Sequence, residues 1–588
     1  MSASQAPALT TMGGTVLVGP RDPAKGDYAQ LVTGPPEPHV VRHLDPNDLS
    51  QTAPPVTFAL TAFAQITDLH ITDDQSPLRV EFLDRYADPG EPHQRSYPFD
   101  SAYRPHECLA PFLTDAICRA LRNAGRGPRT GLPLAFTMVS GDGVDNCQSN
   151  ELRWYIDILD GQTVTTDSGS PTLDNSVTSD ALGLPVEYWH PAFEDFERSN
   201  HNGPGLDNYF SAGYPTKLTQ LPFIARKPFT ATGLGMPWFA CYGNHDALVQ
   251  GNMTPDGVVH GYPAGDVLGL DLREIAVGDF KRTQLGQPLP DVMPDGWDLD
   301  WADLVDAVAN GGFAGLLVPA DARRRLVSRA EFVAAHFDTH GTPVGHGFVL
   351  GDDAFYAVPG RPGDRVRHLV LDTTDADGYD TGNIDINQLQ WLEDQLVSGS
   401  SRYLTDDDIP VIVEQEGVTD VLFVIHSHHA IRSLRQNGEP FERLLLRYPN
   451  VVLLVNGHSH RNVVERHFRP WPTGPHGGFY EVGTSAVIDF PAQGRLIELA
   501  SGGGTLSIVT TMVDIDAPLD FSGGDITQPA VIASLAREIA ANDLQERDRH
   551  VIDNPGAPDQ RNVRLLLPAP FALPDPPLFG SPLAAVAG

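Results

Sequence analysis

Two histidines follow an apolar run in the last third of the sequence. Residues 454–463 read LVNGHSHRNV, so a strand-like segment ends in glycine and is followed at once by His458 and His460. Two imidazoles placed two positions apart, just beyond a buried strand, are not what core packing requires. Their chemistry is that of metal ligands, or of groups that give and take protons near neutral pH.

Four earlier segments carry the same kinds of side chain after an apolar run. They are TDLHITD with Asp68 and His70, GDGVDN with Asp142 and Asp145, GNHD with Asn244, His245 and Asp246, and VIHSHHA with His426. Carboxylate and amide oxygens with imidazole nitrogens suit Mn, Fe, Zn or Co, whereas thiolates would favour a closed structural zinc site. Each segment alone has an ordinary explanation as a turn or helix cap. Five in succession favour one shared metal site.

The elements that must position these residues alternate between strands and helices. Strand-like runs precede each segment, and they are apolar enough to be covered on both faces. HECLAPFLTDAICRALRNAG predicts a helix that ends at Gly125, and DINQLQWLEDQL predicts one with Asp385 as N-cap and Gln388 completing a capping box. This alternation predicts an α/β fold, whose sheets place ligand sites beyond the carboxyl ends of the strands. We therefore expect the five segments to converge.

Composition limits the class of partner. The 588 residues include 40 Lys and Arg against 76 Asp and Glu, a formal charge of −36, which disfavours nucleic acid and anionic membranes as partners. The four cysteines are too few and too scattered for a disulfide framework. We find neither a signal-peptide pattern nor an apolar run long enough to span a membrane, which predicts a cytoplasmic location.

The five segments together resemble the ordered motifs of the calcineurin-like metallophosphoesterase superfamily. These motifs are D-x-H, G-D-x-x-D/N, G-N-H-D/E, a histidine after a later strand, and G-H-x-H. DDQSPLRVEF and TSAVIDFPAQGR look like a branch of metallophosphoesterases found in actinobacteria. The resemblance implies a two-sheet α/β/β/α sandwich over residues 56–515, with insertions at about 147–236 and 247–362. We expect residues 1–55 to form an N-terminal extension, and residues 516–588 to form a C-terminal helix and a Pro-rich tail.

The resemblance also implies two adjacent metal ions, Mn, Fe or Zn in divalent or trivalent form. The first ion would take Asp68, His70, Asp142 and His460, and the second Asp142, Asn244, His426 and His458, with Asp142 as the bridge. The segment HSHH leaves His426, His428 and His429 as alternatives. We choose His426 because it follows the apolar run most directly.

The activity implied by the resemblance is hydrolysis of a phosphate mono- or diester by a metal-bridging hydroxide. His245 would donate a proton to the leaving group, and Asp145 would orient it. Asn146 stands where phosphoprotein phosphatases have an arginine, and Asp145 where purple acid phosphatases have a tyrosine. Arg79 and Arg461 are alternatives as phosphate clamps, although a salt bridge is the simpler interpretation of each.

Two other classes of function compete with this one. A non-catalytic metal-binding scaffold with the same fold is the main alternative, but such proteins usually lose ligands, and this chain keeps the full set. A metallo-β-lactamase-type hydrolase would require an H-x-H-x-D-H block, which the sequence lacks. The expected substrate is a nucleotide or a phosphorylated small molecule, because the acidic charge disfavours nucleic acid.

Overall fold

The apolar runs of the sequence form the strands of two large sheets in a computed structural model of the chain. The structure describes residues 9–45, 47, 52–84, 102–173, 175–178, 188–192, 208–256, 271–285, 312–361, 363–375, 378, 380–471, 477–547 and 550–573. The chain is a mixed α/β protein, as the alternation of strands and helices predicts.

The strands are listed here in chain order. They are β1 (Thr15–Val18), β2 (Leu31–Gly34), β3 (Val40–His43), β4 (Phe58–Ile66), β5 (Thr137–Val139), β6 (Thr163–Val164), β7 (Phe229–Thr230), β8 (Trp238–Ala240), β9 (Phe280–Leu285), β10 (Phe313–Leu317), β11 (Tyr356–Ala357), β12 (Val366–Val370), β13 (Gly382–Asn383), β14 (Arg402–Leu404), β15 (Ile412–Glu414), β16 (Leu422–His426), β17 (Leu434–Gln436), β18 (Val451–Asn456), β19 (Val463–Phe468), β20 (Gly478–Gly483), β21 (Gln493–Gly502), β22 (Thr505–Asp514) and β23 (Val563–Pro568).

The helices are fewer, and several are a single turn. They are α1 (Glu81–Asp84), α2 (Ala110–Ala124), α3 (Ser149–Asp160), α4 (Asn208–Ser211), α5 (Leu221–Ala225), α6 (Asn244–Ala247), α7 (Leu272–Val277), α8 (Arg329–Ala335), α9 (Ile386–Ser398), α10 (Gly438–Arg447), α11 (Pro529–Ala540) and α12 (His550–Asp553).

The two large sheets hold all the strands that precede the five segments. The seven-stranded sheet has the order β3-β23-β22-β21-β4-β5-β8, and the six-stranded sheet has the order β11-β12-β16-β18-β20-β19. Strands β4, β5 and β8 are parallel neighbours, as are β12, β16, β18 and β20. Their carboxyl ends therefore lie at one edge of each sheet.

The six-stranded sheet is buried on both faces, which explains its continuous apolar strands. In β16, Leu422 and Val424 join a core shared with the seven-stranded sheet, whereas Phe423 and Ile425 join a core with α9 and α10. The ring of Phe63, in β4, lies against the β16 side of the first core. Helix α2 packs against β22, α3 and α11.

Both predicted helix boundaries are present, but one capping detail was wrong. Gly125 follows α2 in the left-handed conformation, with φ 59°. The Asp385 carboxylate accepts a hydrogen bond from the Asn387 N–H at the start of α9. Gln388 does not complete a capping box, because its side-chain amide exchanges two hydrogen bonds with the Asp372 backbone.

The chain on either side of residues 56–515 contributes strands to the body. Strand β3 pairs with β23, and β23 pairs with β22, so both ends of the chain extend the seven-stranded sheet. The predicted C-terminal helix is α11, and most of the predicted Pro-rich tail, residues 574–588, lies outside the described residues.

The two predicted insertions contain ordered elements in their described parts. The first includes α3 and the β6–β7 pair, and the second includes the antiparallel β9–β10 pair and α8. Residues 193–207, 257–270 and 286–311 of these insertions lie outside the described residues. Within the described part of the chain, no helix combines the length and apolar character that a membrane crossing requires.

Candidate metal centre

The loops that follow β4, β5, β8, β16 and β18 meet at one edge of the two sheets. The Asp68 N–H donates to the Gly141 carbonyl at 3.1 Å, which joins the loops after β4 and β5. The Gly457 N–H donates to the His428 carbonyl at 3.0 Å, which joins the loops after β16 and β18. The parallel strands thus bring the sequence motifs together, as the α/β pattern predicts.

Asp68, His70 and His460 form the first group of ligand atoms. Each residue offers one ligand atom, a carboxylate oxygen or an imidazole nitrogen, and these three atoms lie within 4.8 Å of one another. His460 Nε2 is 3.2 Å from Asp68 Oδ1, and His70 Nε2 is 4.0 Å from the same oxygen. His70 Nε2 is also 3.9 Å from Asp142 Oδ2, so Asp142 adjoins this group.

Asp142, Asn244 and His428 form the second group. His428 Nε2 lies 3.1 Å from Asp142 Oδ2 and 2.9 Å from Asn244 Oδ1. The ring of His458 lies 5.2 Å from that of His428, between centroids. Asp142 therefore stands between the two groups, and its Oδ2 faces imidazole nitrogens from both.

The choice of His426 as a ligand was wrong, and His428 occupies the expected position. Strand β16 continues through His426, whose ring faces the core between the sheets with Leu422 and Val424. His426 Nε2 lies 3.0 Å from His368 Nδ1, and its ring packs against Phe63. The chain turns only after this residue, so His428 is the histidine that reaches Asp142.

His429, the third alternative, is held by other groups. Its Nδ1 lies 3.0 Å from Thr373 Oγ1, and its Nε2 lies 3.1 Å from the Asp380 carbonyl. Both ring nitrogens are therefore engaged. His429 packs beside His458, with 4.3 Å between ring centroids, and it limits where that ring can turn.

The backbone at the ligands is strained in the same way at five positions. The φ angle is 53° at Asp68, 44° at His70, 52° at Asp142, 64° at His458 and 55° at His460. Non-glycine residues rarely adopt this left-handed conformation, which costs on the order of 1–3 kcal/mol for each residue. Such strain persists where surrounding structure enforces it, and it is concentrated here on residues singled out from sequence as ligands.

The histidine rings are oriented as metal-bound histidines usually are. His428 Nδ1–H donates to the Ser140 carbonyl at 2.7 Å, and His70 Nδ1 and His460 Nδ1 lie 3.0 Å and 2.5 Å from the carboxylates of Asp145 and Asp489. In the neutral form of each ring, Nε2 then carries the lone pair and faces the cluster. Asp68 Oδ1 and His70 Nε2 are buried with no hydrogen-bond partner among the described residues. These atoms fit a bound cation.

The charges of the side chains in the cluster also favour a bound cation. Although burial opposes protonation, Asp142 raises the pKa of His428 to about 9, and Asp68 raises that of His460 to about 10. Despite burial, these imidazoles hold the pKa of Asp68 at about 2. Protons on the imidazoles supply a charge that metal cations would supply instead.

His245 and Asp145 lie together beside the cluster. His245 Nδ1–H points at Asp145, 3.0 Å from its carbonyl and 3.3 Å from Oδ1. Although burial opposes it, the carboxylates of Asp142 and Asp145 raise the pKa of His245. Asp145 also accepts a hydrogen bond from the buried Arg79. One carboxylate thus contacts His70, His245 and Arg79.

Two glycines leave room for these side chains. A Cβ at Gly251, where φ is 70°, would lie 2.4 Å from His245 Nε2 and 2.5 Å from Asn244 Nδ2. A Cβ at Gly457 would lie 1.9 Å from Thr67 Oγ1. Neither position admits a larger residue without displacing a site residue or its neighbour.

The two arginines considered as phosphate clamps are paired elsewhere. Arg79 is buried, and its guanidinium contacts Asp145, Glu81 and Glu107. Arg461 lies 3.5 Å from Asp553 in a partly exposed pair. The salt-bridge interpretation fits both residues.

A carboxylate that was not selected from the sequence supports His460. Asp489 accepts from His460 Nδ1–H at 2.5 Å and from Arg104 Nε at 2.8 Å. It lies in the segment TSAVIDFPAQGR, after β20, which neighbours β18 in the sheet. The only signal in the sequence was a single aspartate after another strand at the same edge.

No protein-family model matches the sequence, and no curated protein matches it. The class that the structure itself defines is a mixed α/β protein that, in the described part of the chain, gathers aspartate, asparagine and histidine side chains at the carboxyl ends of its parallel strands.

Proposed function

We propose that this chain is a dinuclear-metal phosphoesterase, a phosphatase or phosphodiesterase, built as a two-sheet α/β/β/α sandwich of the metallophosphoesterase type. The observation that carries the proposal is the position of Asp142. Its Oδ2 lies 3.1 Å from His428 Nε2 and 3.9 Å from His70 Nε2, which belong to different ligand groups. A carboxylate shared in this way is suited to bridge two ions.

The side chains divide between two ion positions. One ion would be held by Asp68, His70, His460 and Asp142. The other would be held by Asn244, His428, His458 and Asp142. The bound ions, Mn, Fe or Zn, supply a water of lowered pKa and neutralise the oxygens of the phosphoryl group. In a chain with a formal charge of −36, this local positive charge also allows an anionic ester to approach.

The chain's own proton donor is His245. Its Nδ1–H is held by Asp145, so Nε2 is the atom that can give a proton to the leaving-group oxygen. The carboxylates of Asp142 and Asp145 raise the pKa of His245 despite its burial, which favours the protonated ring that a proton donor needs. Its side chain is 16% exposed, so it reaches the solvent-facing side of the cluster where a substrate would bind.

The substrate class follows from charge. A polyanion would meet repulsion along its whole length, whereas a single phosphate ester needs only the local field of the bound ions. The substrate is therefore a nucleotide or a phosphorylated small molecule. Arg79 and Arg461 are paired, so they are not assigned to the phosphate.

Metal analysis of the purified full chain, combined with a panel of phosphate mono- and diesters, tests the proposal. We expect about two metal ions per chain and hydrolysis that a chelator abolishes. Asp142→Ala should lose both ions and activity, His70→Ala should lose one ion, and the surface control Asp559→Ala should change neither. Two ions retained in Asp142→Ala would refute the bridging role. A metal-loaded chain that hydrolyses none of the esters would favour the non-catalytic scaffold.

A further inference from the structure

A cavity lies at the end of the sheets opposite the metal cluster. It has a volume of about 720 Å³, and its walls include Leu60 and Ala62 from the first half of β4, Phe136 beside β5, and Val366 at the start of β12. The metal cluster lies beyond the carboxyl ends of these same strands. The cavity is therefore separate from that site, and its size and apolar walls are typical of small-molecule pockets.

Unpaired positive charge lies at the mouth of this cavity. Arg361 and Arg365 both line it, and neither makes an ion pair with any residue that the structure describes. Arg367 also lines it but donates to Gln395 and Ser398. Among the described residues that line the cavity, Asp364 is the single carboxylate, and it accepts a hydrogen bond from the Arg361 backbone. Unpaired arginines are unexpected in a chain where acidic residues outnumber basic ones, and guanidinium groups bind carboxylates well.

A histidine pair adds a hydrogen-bond donor to the cavity wall. His368 lines the cavity, and its Nδ1 lies 3.0 Å from Nε2 of the buried His426. His426 Nδ1 is buried with no partner among the described residues. A proton on His426 Nδ1 would be a buried N–H without an acceptor, which costs more than a buried nitrogen lone pair without a donor. The proton of His426 is therefore on Nε2, which donates to His368 Nδ1. Neutral His368 then carries its own proton on Nε2, as a donor.

We propose that this cavity binds an amphiphilic carboxylate, a molecule with an apolar body and one anionic head. The apolar walls from β4, β5 and β12 take the body, and Arg361 and Arg365 take the carboxylate. His368 donates a hydrogen bond to a polar atom of the ligand. The inference is independent of the proposed phosphoesterase activity, because none of these residues belongs to the metal cluster.

Calorimetric titration of the full chain with decanoate, below its micellar range, tests this inference. We expect one site per chain, with affinity that falls as salt is raised. Arg361→Gln with Arg365→Gln should weaken binding by about ten-fold or more, as should replacing decanoate by decanol. Arg273→Gln with Arg325→Gln removes the same charge from exposed pairs elsewhere and should leave binding unchanged.

A second variant distinguishes this cavity from the metal cluster as the binding place. Ala135 is exposed and lines the cavity, so Ala135→Trp should fill it and abolish decanoate binding without disturbing the fold. Thermal unfolding of each variant establishes that it is folded. Equal binding by wild type and Ala135→Trp would place decanoate elsewhere and overturn the proposal. Equal affinity for decanol and decanoate, or no binding of decanoate at all, would do the same.

Discussion

His428 Nε2 lies 3.1 Å from Asp142 Oδ2, whereas His426, two residues earlier, turns its ring into the core against His368. Strand β16 explains the difference. Side chains alternate between the faces of a strand, and His426 is still within it, so its direction follows Leu422 and Val424. Only beyond the strand can the chain aim a ring at the sheet edge.

Replacement of these two histidines should therefore have opposite consequences for metal binding. His428→Ala should lower the metal content by about one ion per chain, because it removes a ligand from the group of Asp142 and Asn244. His426→Leu should keep the metal content and lower stability instead, by roughly 1–3 kcal/mol, because His368 loses its buried partner. Metal analysis and thermal unfolding of the two variants provide the check. Loss of an ion from His426→Leu alone would return the ligand role to His426.

The sequence predicted the coarse organisation of the site better than its details. Apolar runs located the strands because each is buried on both faces, and Asp385 and Gly125 set helix ends through local hydrogen bonding and backbone conformation. The choice between His426 and His428 depended on where β16 ends, and the exact end of a strand is difficult to predict from sequence. Asp489 was missed because a single carboxylate without a partner motif has no distinctive pattern.

The pairing of β3 and β23 could not be predicted from local pattern either. These strands lie more than five hundred residues apart in the chain and become neighbours at one edge of the seven-stranded sheet. Gln388 illustrates the same limit on a smaller scale, because contact with Asp372 displaced the capping box that its position favours. Tertiary contacts overrode local preference in both cases.

Asp489 should tune metal affinity without touching the metal. Asp489→Asn keeps the shape of the side chain but removes the charge that holds His460 Nδ1–H and pairs with Arg104. We expect the affinity for one ion to fall by about ten- to hundred-fold, with activity recovered when metal is added in excess. Metal titration of activity measures this shift. Asp553→Asn, which alters an exposed pair with Arg461, is the control. Activity that stays low at saturating metal would show that Asp489 acts in another way.

A separate histidine links stability to pH. His467 donates Nδ1–H to Glu442 at 2.6 Å and Nε2–H to Glu481 at 2.7 Å. Although burial opposes it, these two glutamates raise the pKa of His467. The folded state therefore holds the proton more tightly than the unfolded chain, and this stabilisation is complete below pH of about 6.5 and fades as the pH rises through the folded pKa.

Replacing His467 by glutamine should therefore destabilise the chain more at pH 6 than at pH 9. The expected loss at pH 6 is about 1–2 kcal/mol, the usual size for hydrogen bonds to charged groups. Thermal unfolding of wild type and variant at both pH values gives the comparison, with His340→Gln as the control in an exposed turn. A difference that is the same at pH 6 and pH 9 would show that His467 is neutral in the folded state.

His245→Ala should separate chemistry from metal binding, because this ring lies beside the ligands and its Nδ1–H is committed to Asp145. Metal content should stay near that of the wild type. The rate should fall by roughly a hundred- to ten-thousand-fold for esters with poor leaving groups, which need a proton, and little for nitrophenyl esters, whose anions leave unaided. Asp145→Asn should show the same selectivity more weakly, together with weaker metal binding, because Asp145 also holds His70. Steady-state rates on matched alkyl and nitrophenyl esters measure both effects. Equal losses on the two kinds of ester would mean that His245 positions the phosphate, and another group would have to supply the proton.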